Sequence, residues 1–204
     1  MDFTIKQTVR VIAALLIALA LTQAVYTGLY IANADVPRQL LWGLEGVLFV
    51  FLAAFAGAAL VESKRLAVAW SAIVCSAVLN VVQVGVGLTM FGPFREVAQG
   101  VDGLAPAASA VVAFSFFVYN AAKILLGFAA VLFGRYKAHT SVGAGKLLGT
   151  LTLLVGALAI LSNMAVMALG RGSLIPSPVA GGSGVVATLL LALCLSSALD
   201  SQTS

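Results

Sequence analysis

Two ionisable side chains, Glu45 and Lys123, lie inside stretches of the sequence that are otherwise apolar. Lys123 falls near the centre of the long apolar stretch 104–136. A charged group at the middle of a membrane span is costly unless it has a partner or water, so such a residue is a functional candidate by default. A lysine side chain reaches about 6 Å toward a more polar level. A direct or water-bridged ion pair between Glu45 and Lys123 is therefore feasible if the second and fourth helices touch. Such a pair has two interpretations, as part of a binding site or as a structural link between helices with no ligand.

Uncharged polar residues accompany these two. Asn80 and Gln83 are three residues apart in one apolar stretch and share a helix face, as do Asn120 and Lys123 in another. Helix rise places most of them in the same half of the membrane or at its middle. The sequence thus predicts a ligand-binding cavity lined by five residues: Glu45, Asn80, Gln83, Asn120 and Lys123.

Other intramembrane polar residues have a simpler interpretation. Gln23 and Asn163 also occur in apolar stretches, where amides commonly form hydrogen bonds between helices. Tyr26 and Tyr30, four residues apart near the end of the first stretch, fit the pattern of aromatic anchors at the membrane interface.

Composition defines the class of protein. The chain has 204 residues, of which 62% are hydrophobic and 9% charged, and its mean hydropathy is +1.12. Soluble domains carry about 25% charged residues. The apolar runs are continuous, whereas the strands of a membrane barrel alternate apolar and polar residues. The sequence predicts an all-α fold, a polytopic membrane helical bundle with about six transmembrane helices in a single domain.

The predicted spans follow from the apolar runs and the turn residues between them. Gly92-Pro93 is expected to end the third helix, and Gly57 is placed for close contact between helices. The six spans are residues 11–32, 39–61, 66–90, 105–134, 147–169 and 182–199.

Basic residues predict the orientation. The N-terminus and the connections 62–65 and 135–146 are predicted to lie on one side of the membrane. They hold seven basic residues: Lys6, Arg10, Lys64, Arg65, Arg135, Lys137 and Lys146. The other connections hold three: Arg38, Arg95 and Arg171. Because cytoplasmic loops are enriched in lysine and arginine, we predict an inner-membrane protein with both termini cytoplasmic. The net charge of +4 is assigned to orientation and not to nucleic-acid binding.

Several kinds of chemistry lack their usual residues. The single histidine, His139, lies in a basic connection, and the two cysteines, Cys75 and Cys194, lie in different spans. No HExxH sequence, cysteine–histidine cluster or pair of intramembrane carboxylates occurs in the sequence. We predict no catalytic residues, no metal and no cofactor, and an enzymatic function is not favoured.

Two functions are favoured over a membrane enzyme. The first is a small inner-membrane protein with an outward-facing polar pocket that binds or transports a small polar or ionic solute. The second is a non-catalytic membrane subunit or assembly factor that packs against a partner protein in the lipid bilayer. In size, helix count and polarity toward the outer side, with Ala14 and Ala18 spaced like a docking motif, the chain resembles the substrate-capturing subunits of energy-coupling-factor importers. That resemblance implies solute capture with a membrane partner.

Overall fold

The computed structural model describes residues 3–34, 36–63, 65–101, 103–170 and 177–200. These residues form six α-helices, each long and apolar enough to cross a membrane, which confirms the predicted fold class. Two basic residues counted in the orientation prediction, Lys64 and Arg171, lie outside the described residues. The helices are α1 (Ile5–Ile31), α2 (Gln39–Glu62), α3 (Ala67–Gly100), α4 (Ala105–Thr140), α5 (Gly143–Leu169) and α6 (Ser177–Asp200).

Local sequence explains where several helices begin and end. Thr4 caps α1 in a capping box with Gln7, each side chain bonding the other's backbone. Asn33, in the turn after α1, has φ of 48°, a left-handed conformation that asparagine tolerates better than most residues. Only Ser141 and Val142 separate α4 from α5, so these two helices form a tight antiparallel hairpin.

The prediction that Gly92-Pro93 ends the third helix is wrong. Helix α3 continues through Pro93 to Gly100. Proline removes one backbone hydrogen bond, which is costly where the freed carbonyl is buried. Here the preceding residues Leu88 and Thr89 are exposed, at the end of the span, where water can satisfy that carbonyl. Helix α4 continues to Thr140, beyond the predicted membrane span 105–134.

The helices form a closed ring. Each helix packs against the next one in sequence, α6 packs against α1 to complete the ring, and α4 also contacts α6. We call the end of the bundle where α2, α4 and α6 begin the Arg38 end, and the opposite end the terminal end. This ring places the interior at the Arg38 end within reach of residues from five helices.

The apolar core fills the terminal half of the bundle. Five of its large side chains are at most 1% exposed: Ile12, Leu16, Leu52, Ile73 and Leu191. The outer surface carries many exposed leucine, valine and phenylalanine side chains, which is the composition that contacts lipid. The chain is thus a multi-pass membrane protein with a packed half and, at the Arg38 end, a more polar half.

Glycines bring α4 and α5 together. A Cβ atom on Gly134 would lie 2.7 Å from the Gly149 carbonyl oxygen, and one on Gly156 would lie 2.7 Å from the Gly127 carbonyl oxygen. Only glycine permits such close backbone approach. The expectation for Gly57 is wrong, because a Cβ there meets no atom within 4 Å. Leu52, Ala56 and Ala59 form the buried side of α2, whereas Gly57 is only partly buried.

Candidate binding cavity at the Arg38 end

A cavity of about 140 Å³ lies inside the Arg38 end of the bundle. It adjoins a wider cleft of about 1190 Å³ whose lining includes Arg38 and residues of the α1–α2 connection. Five aromatic residues line both spaces: Tyr26, Tyr30, Trp42, Phe91 and Phe116. The remaining lining of the cavity is Gln23, Thr27, Glu45, Asn80, Gln83, Ser115, Tyr119 and Gly181.

Three of the five predicted site residues line this cavity: Glu45, Asn80 and Gln83. Asn80 is 1% exposed and donates from Nδ2 to the Ser76 carbonyl oxygen at 2.9 Å. Gln83 donates from Nε2 to Ser115 Oγ on α4 at 3.4 Å. These hydrogen bonds hold both amides on the cavity wall.

Glu45 is the charged group on the wall of the cavity. It is 6% exposed, and its Oε1 atom is buried without a hydrogen-bond partner among the described residues. The Thr22 hydroxyl interacts with this carboxyl group and also lies 3.0 Å from the Leu19 carbonyl oxygen, and neither contact gives Oε1 a donor. A buried carboxylate oxygen with no donor is energetically unfavourable, so Glu45 is poised to accept a bond from an incoming group.

Lys123 lies behind the cavity wall and is 1% exposed. Its Nζ donates to Gln23 Oε1 at 2.5 Å and lies 5.2 Å from the centre of the Tyr119 ring. The lysine stem packs against α6 at Gly184, where a Cβ would lie 2.9 Å from Lys123 Cδ. Gly184 therefore makes room for the buried side chain.

The expected pairing of Lys123 with Glu45 is not a contact in this structure. Among the described side chains, the partners of the ammonium are Gln23 and Tyr119. Gln23, which lines the same cavity as Glu45, accepts the hydrogen bond of Lys123. An amide and an aromatic face thus contact the ammonium directly, and the Glu45 carboxyl group interacts with it electrostatically from a longer distance.

Asn120, the fifth predicted residue, does not line the cavity. It is 3% exposed and donates from Nδ2 to the Phe116 carbonyl oxygen of its own helix at 2.8 Å. Asn163 behaves as an interhelical amide, donating to Ala159 and Ala180 carbonyl oxygens at 2.8 and 3.2 Å.

The aromatic lining is the part of the site that sequence reasoning missed. The interpretation of Tyr26 and Tyr30 as interface anchors overlooked that both share a helix face with Gln23. Trp42 precedes Glu45 by three residues in the same way. The spacing in the sequence was the signal for this lining. Aromatic residues three, four or seven positions from an intramembrane polar residue lie on the same helix face as that residue.

Six apolar helices that enclose a polar, aromatic-lined cavity define this multi-pass membrane protein as one with a candidate site for a small molecule. Comparison with protein-family models, with curated proteins and with solved structures finds no match for this chain. The residues of the cavity themselves are therefore the basis for any functional proposal.

Proposed function

We propose that this is an inner-membrane protein that binds a small polar or ionic solute in the cavity at the Arg38 end, as a step in capture or transport. The observation that carries the proposal is Glu45, a carboxylate on the cavity wall whose Oε1 lacks a partner among the described residues. A group kept only to hold helices together would be expected to bond across them. Glu45 instead lines the cavity, and no described residue forms a hydrogen bond with its Oε1 atom.

The size and shape of the space support the same function. Ligand sites are concave, mostly apolar and carry a few convergent polar groups. Here the polar groups Gln23, Glu45, Asn80 and Gln83 come from three helices, and aromatic side chains cover most of the rest. Residues on α4 and α6, Ser115 and Gly181, complete the wall.

Basic residues support an orientation in which the cavity opens to the outside. The terminal end holds Lys6, Arg10, Arg65, Arg135, Lys137 and Lys146, and the connections at the Arg38 end hold fewer basic residues. The positive-inside rule then puts the chain termini in the cytoplasm and the wide cleft on the outer face. A solute would enter through this cleft and pass the shared aromatic residues.

The test is a thermal-shift panel on the full chain in a neutral detergent. The panel contains small amines, carboxylates, amides and alcohols, applied to the wild type, to Ser115→Leu and to Ser109→Leu. Ser115 is 3% exposed and lines the cavity, whereas Ser109 is exposed in the wide cleft. A ligand at a hundredfold excess over Kd stabilises by about 2.7 kcal/mol.

We expect at least one solute class to raise the melting temperature of the wild type and of Ser109→Leu. The same class should fail with Ser115→Leu, whose added side chain fills the cavity. An equal shift in all three proteins, or no shift with any class, contradicts solute binding at this site. The second outcome favours a non-catalytic subunit that packs against a partner.

A further inference from the structure

We propose that the solute is a small organic monocation, an amine with a compact apolar body, held by the Glu45 carboxylate and an aromatic wall. This inference rests on the proposed function, because it assigns a ligand class to the same cavity. Its basis is the charge of the wall, the identity of the side chains around it, the volume and the position of Lys123.

The charge on the cavity wall has one sign. Among the described residues that line it, Glu45 is the ionisable residue of negative charge, and no lysine or arginine takes part. The carboxylate is 6% exposed with its Oε1 unpartnered. A cationic ligand would supply the missing donor beside the carboxylate, whereas an anion would add a second negative charge beside the first.

Aromatic faces make up the rest of the recognition surface. Six aromatic side chains line the cavity: Tyr26, Tyr30, Trp42, Phe91, Phe116 and Tyr119. Two of these rings already hold a cation of the chain itself, since Arg38 Cζ lies 5.5 Å from the Tyr26 ring centre and Lys123 Nζ lies 5.2 Å from that of Tyr119. Trp42 also lines the cavity, and tryptophan is the most favourable partner of a cation.

The arrangement of Trp42 fits this role. Its ring centre lies 5.7 Å from that of Phe91, with the planes at 80°, and 6.1 Å from that of Tyr26. Gly87 on α3 allows this position, because a Cβ there would lie 3.3 Å from the indole ring. Trp42 and Glu45 are one helical turn apart on α2, so one rigid helix presents both the ring and the carboxylate.

The volume limits the size of the cation. A cavity of about 140 Å³ is close to the roughly 150 Å³ of an engineered protein cavity that holds benzene. A ligand of about five to eight non-hydrogen atoms fits this volume. A long polyamine or a nucleoside would not fit without opening the bundle.

Lys123 does not reverse this preference. Its ammonium lies behind the wall, where Gln23 accepts its hydrogen bond and Tyr119 covers it. An anion would have to displace Gln23 before it could reach Lys123. Glu45 therefore offers a ligand direct contact, and Lys123 does not.

The experiment compares three molecules that share a tert-butyl body and differ in charge: tert-butylammonium, tert-butanol and pivalate. Binding to the full chain in neutral detergent is followed through Trp42 fluorescence in a Trp70→Phe background, because the sequence has two tryptophans. Trp70 packs on Phe133, away from the cavity. Glu45→Gln is the test variant, and Glu62→Gln, at an exposed carboxylate on the same helix, is its control.

We expect the ammonium compound to bind at least about tenfold more tightly than the alcohol and the acid. Glu45→Gln should reduce that affinity at least about tenfold, and Glu62→Gln should leave it unchanged. The Trp42→Leu variant, measured by calorimetry, should also bind the ammonium compound more weakly, although it keeps the Glu45 carboxylate. Calorimetry on the Glu45→Gln variant distinguishes a loss of affinity from a loss of the fluorescence response alone.

Three results would overturn the assignment: tighter binding of pivalate, equal binding of the alcohol, or unchanged affinity in a folded Glu45→Gln protein. After any of these results the proposed solute-binding function still stands, provided that Ser115→Leu abolishes the binding that is observed. Absence of binding by all three molecules also overturns the assignment. The proposed function fails with it only if the thermal-shift panel is negative as well.

Discussion

At the scale of single residues, Lys123 and Gln23 determine how a charge is kept inside the bundle. Lys123 is 1% exposed, and its hydrogen bond to Gln23 joins α4 to α1. Removing either partner leaves the other buried without its hydrogen bond, which costs about 1–3 kcal/mol for a neutral group and more for a charge. The coupling between these two residues should therefore exceed that between Lys123 and Glu45.

Two double-mutant cycles measure this difference. One combines Lys123→Met with Gln23→Leu, and the other combines Lys123→Met with Glu45→Gln, both read from thermal unfolding in detergent. We expect a coupling free energy of about 1–3 kcal/mol in the first cycle and a smaller one in the second. A larger coupling with Glu45 would mean that the carboxylate, and not the amide, is the partner of the ammonium.

Residue types and depth predicted much of the cavity but not its contacts. Glu45, Asn80 and Gln83 were found because polar groups in an apolar stretch are costly and therefore stand out. The partner of Lys123 was not found, since it depends on the rotation and tilt of α1 relative to α4. Trp42 and Phe116 were missed because aromatic residues are ordinary components of a membrane span.

At the scale of helices, the α4–α5 hairpin depends on glycine. A Cβ on Gly149 would lie 2.5 Å from the Ala138 backbone nitrogen and 2.8 Å from the Gly134 carbonyl oxygen. Because these are backbone atoms of the facing helix, they cannot move aside as a side chain can. Gly149 thus permits the close approach of α4 and α5 at the terminal end of the bundle.

Gly149→Ala should lower the melting temperature, with a loss of about 1–3 kcal/mol or more from overpacking. Gly57→Ala is the matched control, since a Cβ there meets no atom within 4 Å. It should be neutral or slightly stabilising, because alanine is the better helix former. Equal melting temperatures for the two variants would show that α4 and α5 are not in close backbone contact.

The helices themselves were predictable, whereas their ends were less so. Continuous apolar runs identify a membrane span by length and composition alone. Apolar runs do not show where α4 ends, because this helix continues beyond the membrane. Its 36 residues correspond to about 54 Å, well beyond a hydrocarbon core of about 30 Å. Small-residue patterns likewise permit close contact at both Gly57 and Gly149, but only the assembled bundle shows which one is used.

At the scale of the whole molecule, the ring of six helices divides the protein into two halves. The terminal half is filled by apolar side chains, and the Arg38 half contains the cavity, the cleft and the hydrogen-bonded amides. The sequence predicted this division from the depth of its polar residues. It did not predict that α6 closes the ring against α1, which depends on contacts between distant parts of the chain.

The central claim is that the Arg38-end cavity can be reached from outside the cell, and cysteine accessibility tests it most directly. Cys75 and Cys194 are replaced by alanine, and a cysteine is introduced either at Ser115, which lines the cavity, or at Ser76, which is 1% exposed and does not. A membrane-impermeant trimethylammonium thiosulfonate is added to the outside of intact cells. We predict rapid modification of the Ser115→Cys protein and slow modification of the Ser76→Cys protein. Modification of the Ser115→Cys protein only from the cytoplasmic side, or equally slow modification of both, would contradict an outward-opening cavity.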